Sequence, residues 1–187
     1  MRRFDRRGVL RVIAGTAGLA AVSRWAAAGQ PKGEGGKAVG IKAPGSVKAE
    51  HDELHEELVQ ATKAGGETGE AARAVAKVLH PHFLKEEELA MPPLGLLPAL
   101  AGGAVPPAAA RVVELTDRLK KELPAMLEEH RAIVAALEKL AGAAMREGKP
   151  PARHLAEKLK QHAKTEEEVL YPAAILVGEY VKLRLRK

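Results

Sequence analysis

His82-Phe83-Leu84-Lys85-Glu86-Glu87-Glu88-Leu89-Ala90-Met91-Pro92 is answered eighty residues later by His162-Ala163-Lys164-Thr165-Glu166-Glu167-Glu168-Val169-Leu170-Tyr171-Pro172. Each copy sets a histidine and a glutamate four positions apart, which on a helix puts both on one face with Cβ atoms about 5–6 Å apart. Each copy also follows an isolated Glu-His pair, Glu50-His51 in the first half and Glu129-His130 in the second, at separations of 31 and 32 residues. The duplication turns scattered histidines into a candidate ligand set of four imidazoles and two carboxylates: His51, His82, Glu86, His130, His162 and Glu166.

Apolar periodicity around these residues predicts an all-α protein. Val47, Leu54, Leu58 and Val59 recur at helical spacing from Ser46, a plausible helix cap, until Gly65-Gly66 stops the pattern. A second helical run extends from about Gly69 to Ala90, with Pro81 expected to kink it. Met91-Pro92-Pro93-Leu94-Gly95-Leu96-Leu97-Pro98 and Gly102-Gly103 break the chain in the middle, and a third run follows from roughly Pro107 to Met145, interrupted at Pro124. The fourth begins after Gly148-Lys149-Pro150-Pro151. Four amphipathic helices joined by short turns imply an antiparallel up-down four-helix bundle.

The histidines are level in such a bundle. The midpoint between His51 and His82 falls at Gly66 and Glu67, and that between His130 and His162 at Arg146, in or beside the two proposed turns. Residues equally distant from a shared turn stand at the same height, here about fourteen residues or roughly 21 Å from it at 1.5 Å per residue. Each pair is therefore expected to meet across its own hairpin. Leu54 and Leu58 follow His51 at three and seven positions, as Ile133 and Leu137 follow His130, which places both histidines on the inward stripe.

Composition restricts the chemistry. The chain of 187 residues has no cysteine, so disulfides, iron–sulfur clusters and thiolate zinc sites are excluded and any metal is held by nitrogen and oxygen. The formal charge of +6 is concentrated at the start: residues 1–28 hold six arginines and one aspartate, a net +5 that leaves about +1 for the remainder. Nucleic acid is therefore not an expected partner.

Asp5-Arg6-Arg7-Gly8-Val9-Leu10-Arg11 resembles a twin-arginine export signal, followed by a weakly apolar run from Val12 to Val22 and a small-residue cleavage pattern at Ala26-Ala27-Ala28. Eleven residues are too few to leave a stable membrane anchor. The expected organisation is a signal peptide over 1–28, a flexible linker rich in Gly, Pro and Lys over 29–45, and one folded domain over 46–187, periplasmic or otherwise extracytoplasmic after export.

Buried carboxylates and imidazoles are costly unless compensated, and a pair of divalent ions supplies the compensation. If Glu86 and Glu166 each bridge two metals, every ion receives two histidine nitrogens and two oxygens, with coordination positions left for a small ligand. Such a donor set suits iron, and manganese, zinc or copper less specifically. The pattern of Glu-His and then His-x-x-x-Glu-Glu, repeated once, resembles the hemerythrin-like family of HHE cation-binding domains and covers nearly all of residues 46–187. The resemblance implies two iron ions in a non-haem di-iron centre inside a four-helix bundle, with His51, His82, Glu86, His130, His162 and Glu166 as ligands. It implies binding of dioxygen, nitric oxide or peroxide. The chain departs from blood-pigment hemerythrins, whose second half has His-x-x-x-His and whose last carboxylate is an aspartate.

A binding protein is the first expectation, with an enzyme reducing peroxide, dioxygen or nitric oxide and a metal buffer as alternatives; no redox partner is identifiable. His55 is a candidate extra ligand, with a helix-surface histidine as the bland reading. His80 is expected outside the ligand set and His154 in solvent. Glu87, Glu88, Glu167 and Glu168 are expected to be solvated or paired with lysines such as Lys85 and Lys164. Tyr171 is expected to pack against the helix end, with a hydrogen bond to a ligand carboxylate as the alternative.

Overall fold

The computed structural model describes residues 41–186; the export-signal reading and the linker up to residue 40 lie outside the described residues. Every regular element among the described residues is helical. Helix α1 spans Gly45–Thr62, α2 Gly66–Lys85, and a five-residue π-turn, Glu86–Ala90, carries α2 into the short α3, Met91–Leu94, and α4, Leu97–Ala101. Helix α5 spans Ala109–Arg146 and α6 Pro150–Thr165, and a second π-turn, Glu166–Leu170, leads into α7, Tyr171–Leu185. The packing closes a ring, α1 on α2, α2 on α5, α5 on α6 and α6 on α1, which is the expected up-down bundle.

Pro124 acts differently from the sequence expectation. Pro124 does not interrupt the third helix, which runs unbroken from Ala109 to Arg146. Its ring is exposed, so the lost hydrogen bond falls on the solvent face, where water satisfies the carbonyl. Pro81 likewise lies inside α2 on an exposed face. Pro150 and Pro151 open α6, where a missing N–H costs nothing. Ser46 does not cap α1: Pro44 occupies the cap and no side chain bonds there.

The two hairpin turns are locked to each other. Glu147, after α5, accepts hydrogen bonds from Glu67 N (2.8 Å), Thr68 N (3.1 Å) and Thr68 Oγ1 (2.6 Å), and so caps the start of α2 from eighty residues away. Lys149 Nζ reaches Ala64 O at 2.7 Å and Gly65 O at 3.2 Å. Gly66, at φ +59°, is required here, because a Cβ would strike the Glu147 carboxylate. These contacts hold both turns, and hence all four histidines, at one height. The Thr68 hydroxyl and amide, with Lys149 and Glu67 N, bring the Glu147 carboxyl down to about 2. Glu147→Ala should therefore lower the unfolding temperature at pH 7. The deficit should persist while pH stays above the unfolded value of 4.5 and vanish as pH falls through about 2, which thermal melts across that range will read.

Two apolar clusters bracket the histidine layer. Leu54, Leu58, Val75, Leu79, Ile133, Leu137, Leu140, Leu155 and Leu159 fill the turn-proximal side. Leu89, Leu94, Leu119, Met126, Tyr171 and Ala174 fill the other. Beyond the latter, Ile41 is buried among Leu96, Val112, Val177 and Val181. Helix α7 docks on α5 through Gly178, whose missing side chain makes room for Thr116; a Cβ there would overlap Thr116 Oγ1, Cβ and Cγ2. Gly178→Val should cost at least ~1–3 kcal/mol, visible as a lower denaturation midpoint, because the branched β-carbon of Thr116 has no way to yield.

Candidate metal centre

Helix periodicity alone brings His82 with Glu86 and His162 with Glu166 onto single faces, and all six candidate ligands are buried: His51 is 2% exposed, His82 1%, Glu86 1%, His130 2%, His162 4% and Glu166 2%. Their donor atoms form two groups that share both carboxylates, His51, Glu86, His162 and Glu166 in one and His82, Glu86, His130 and Glu166 in the other, each within 4.8 Å. Within them His162 Nε2 stands 2.9 Å from Glu166 Oε1, His51 Nε2 3.3 Å from the same oxygen, His130 Nε2 3.5 Å from Glu166 Oε2, and His82 Nε2 3.2 Å from Glu86 Oε1.

The imidazoles that meet are not those of one hairpin. His51 Nε2 faces His162 Nε2 at 3.2 Å, and His82 Nε2 faces His130 Nε2 at 2.7 Å, so each pair takes one histidine from each half. Equal distance from a turn fixes height and not azimuth. In a closed ring, the α1–α6 and α2–α5 neighbours are as available as the hairpin partners, and the inward stripes select them.

An outer layer of carboxylates fixes the tautomers of three of the four imidazoles. His82 Nδ1 donates to Glu129 Oε2 at 2.9 Å, His130 Nδ1 to Glu167 Oε1 at 2.8 Å, and His162 Nδ1 to Glu50 Oε1 at 3.1 Å. A carboxylate only accepts, so the proton sits on Nδ1 and the neutral ring aims its Nε2 lone pair inward. His82 and His130 thus face each other lone pair to lone pair at 2.7 Å, beside two buried carboxylates, an arrangement stable only around a positive charge. Glu86 Oε2 is also buried with no hydrogen-bond partner among the described residues. The donor set therefore fits a pair of cations, with His51, His162, His82 and His130 as nitrogen donors and the two glutamates shared.

The metal-free electrostatics tell the same story. Burial alone would lower the His82 and His162 pKa values, but hydrogen bonds and charge from Glu86 and Glu166 outweigh it and raise both to about 9. Burial and then the Glu166 charge push the Glu86 carboxyl up. Burial would raise Glu166 too, yet hydrogen bonds from His130, His162 and His51 hold it well below the carboxylate range. The layer collects protons when nothing else neutralises it.

Some of these expectations hold and others need correction. Glu167 is not simply solvated or paired with lysine, because it orients His130, and Lys85 bonds Glu129 instead. Glu88 pairs with Arg118 at 2.8 Å instead of a lysine, whereas Glu168 pairs with Lys164 at 3.7 Å as expected. Tyr171 does more than pack against the helix end: its hydroxyl donates to Glu86 Oε1, across the bundle from its own half. His55 stands outside both donor groups, half-buried, its pKa lowered by burial and by nearby His80. His154 is exposed.

The π-turns explain Tyr171. Met91 N–H closes on Glu86 O and Tyr171 N–H on Glu166 O, five residues back rather than four. The wider turn swings the fifth residue toward the face that carries the glutamate. A sequence signal existed: proline stands six positions after both glutamates, and proline cannot donate the next helical bond. The Glu of each Glu-His pair was equally visible; Glu50 and Glu129 each orient the histidine opposite their own neighbour.

Fold and site together define a four-helix bundle with a buried histidine–glutamate layer built for metal ions. The hemerythrin HHE cation binding domain model matches residues 45–174, and the chain belongs to that family. Neither the curated proteins nor the solved structures yield a match.

Proposed function

We propose that the mature protein is an exported non-haem di-iron protein that binds dioxygen or a related small ligand, nitric oxide or peroxide. The observation that carries this reading is the doubled donor group with shared carboxylates: it offers each ion two imidazole nitrogens and two carboxylate oxygens, fewer donors than octahedral iron accepts. Bound iron would supply the redox-active, ligand-accepting centre. The chain's own residues hold it: Glu129, Glu167 and Glu50 keep Nδ1 protonated and Nε2 available, Glu86 and Glu166 neutralise charge, and the apolar clusters exclude bulk water. Manganese or zinc fits the same donors with less specificity. The arginine pair Arg6-Arg7 supports twin-arginine export, and Arg6→Lys with Arg7→Lys should retain the protein inside the cell.

The test is reconstitution of the mature protein with ferrous iron, followed by exposure to dioxygen or azide. Two irons per chain and new near-ultraviolet absorption are expected; the only tryptophan, Trp25, would be removed with the signal, leaving that region clear. Binding of zinc at two per chain with no spectral response to iron and azide would favour a buffer. Rapid catalytic loss of peroxide or nitric oxide would make the protein an enzyme.

A further inference from the structure

The duplicated motif is close to symmetric, but the structure breaks the symmetry at one position. Tyr171 and Met91 are counterparts, each the fifth residue after a shared glutamate and each closing a π-turn, and both are buried. Only the second half places a polar atom there. The Tyr171 hydroxyl oxygen lies 3.3 Å from His82 Nε2 and 3.2 Å from His130 Nε2, and it donates to Glu86 Oε1. It therefore touches three of the four donors in one group, at separations of the kind that donors around a single cation keep from one another. His51 Nε2 and His162 Nε2, in the other group, have no such neighbour: His51 stacks on Phe83, with ring centroids 4.2 Å apart, and the counterpart of Phe83 is Ala163.

We propose that Tyr171 is a seventh metal ligand, binding as phenolate to the ion held by His82 and His130, and that the coordination position left for an exogenous ligand belongs to the ion held by His51 and His162. This rests on the di-iron reading above. Two histidines and two shared carboxylates give each ion four donors of the same kinds. The tyrosine oxygen adds a fifth on one side only, so the pair becomes inequivalent. When a cation enters, the phenol proton now donated to Glu86 is released to solvent, and Glu86 Oε1 and the phenolate oxygen share the ion. The exogenous ligand then binds beside the Phe83 ring, which stacks on His51, is 7% exposed and offers no hydrogen bond. The chain's second tyrosine, Tyr180, takes a hydrogen bond from Arg184 at 2.6 Å, and only Tyr171 touches the centre.

The experiment uses ferric protein at two irons per chain. Phenolate bound to ferric iron gives a visible charge-transfer band with resonance-enhanced tyrosinate vibrations, which neither imidazole nor carboxylate produces. The wild type is expected to show both. Tyr171→Phe should lose both while keeping two irons per chain and the helical circular dichroism, and azide added to the wild type should leave the tyrosinate vibrations in place. Two irons with no tyrosinate vibrations in the wild type would overturn phenolate ligation and leave the di-iron reading intact. Tyrosinate vibrations erased by azide would overturn the assignment of the open position. Failure to bind iron at all would overturn both proposals.

Discussion

Glu166→Ala should strip the centre of metal and destabilise the bundle more than any other single change in the layer. Glu166 belongs to both donor groups and stands within 3.5 Å of three imidazoles. Its removal leaves His130, His162 and His51 without their shared anion, while Glu86, which burial pushes toward the neutral form and which stands 3.8 Å from His51 and 4.0 Å from His130, is a poor substitute. Breaking one partner out of a buried charged network costs about 3–5 kcal/mol. Loss of bound metal adds its own linkage, about 4 kcal/mol when free metal exceeds Kd a thousandfold. The expected result is metal content well below two per chain and a collapse of the thermal midpoint. Glu168→Ala, two residues on and largely exposed, should change neither. Equal metal content in the two variants would refute the bridging role.

Removing the metal should invert the pH dependence of stability. In the metal-free protein the His82 and His162 pKa values are raised from 6.5 to about 9. A raised folded-state value contributes stability that is complete below 6.5 and disappears as pH climbs through about 9, so the metal-free bundle should weaken across that interval, by a few kcal/mol for imidazoles this deeply buried. The loaded protein should behave oppositely, because cations replace those protons and bind more tightly as pH rises. Melts of both forms between pH 6 and pH 9.5 should therefore diverge with increasing pH. Parallel curves would mean that protons and metal do not compete for the same nitrogens.

Much of this architecture was legible in the chain. The doubled His-x-x-x-Glu phrase, the Glu-His pairs and the positions of Gly65-Gly66 and Gly148 suffice to set four helices and one level of ligands, because helical period and rise are fixed by backbone geometry. The pairing of imidazoles was not legible, because equal height says nothing about which side of the ring each stripe faces. The π-turns are not legible from periodicity alone, because a regular helical period runs straight through Pro92 and Pro172, and the hydrogen bond from Tyr171 to a ligand carboxylate is legible only as the alternative to packing at the helix end. Pro124 does not break its helix, because an exposed proline in a helix of 38 residues loses a bond on the side that faces water. Glu147 as a cap for α2 was invisible, since the two segments meet only in the folded chain.

The central claim is that six side chains from four helices enclose a dinuclear centre, and native mass spectrometry of the folded, iron-reconstituted protein tests it most directly. The account predicts a single dominant species carrying two iron ions per chain, converted to metal-depleted protein by Glu166→Ala. A protein that keeps its helical fold but takes up one ion or none would contradict it.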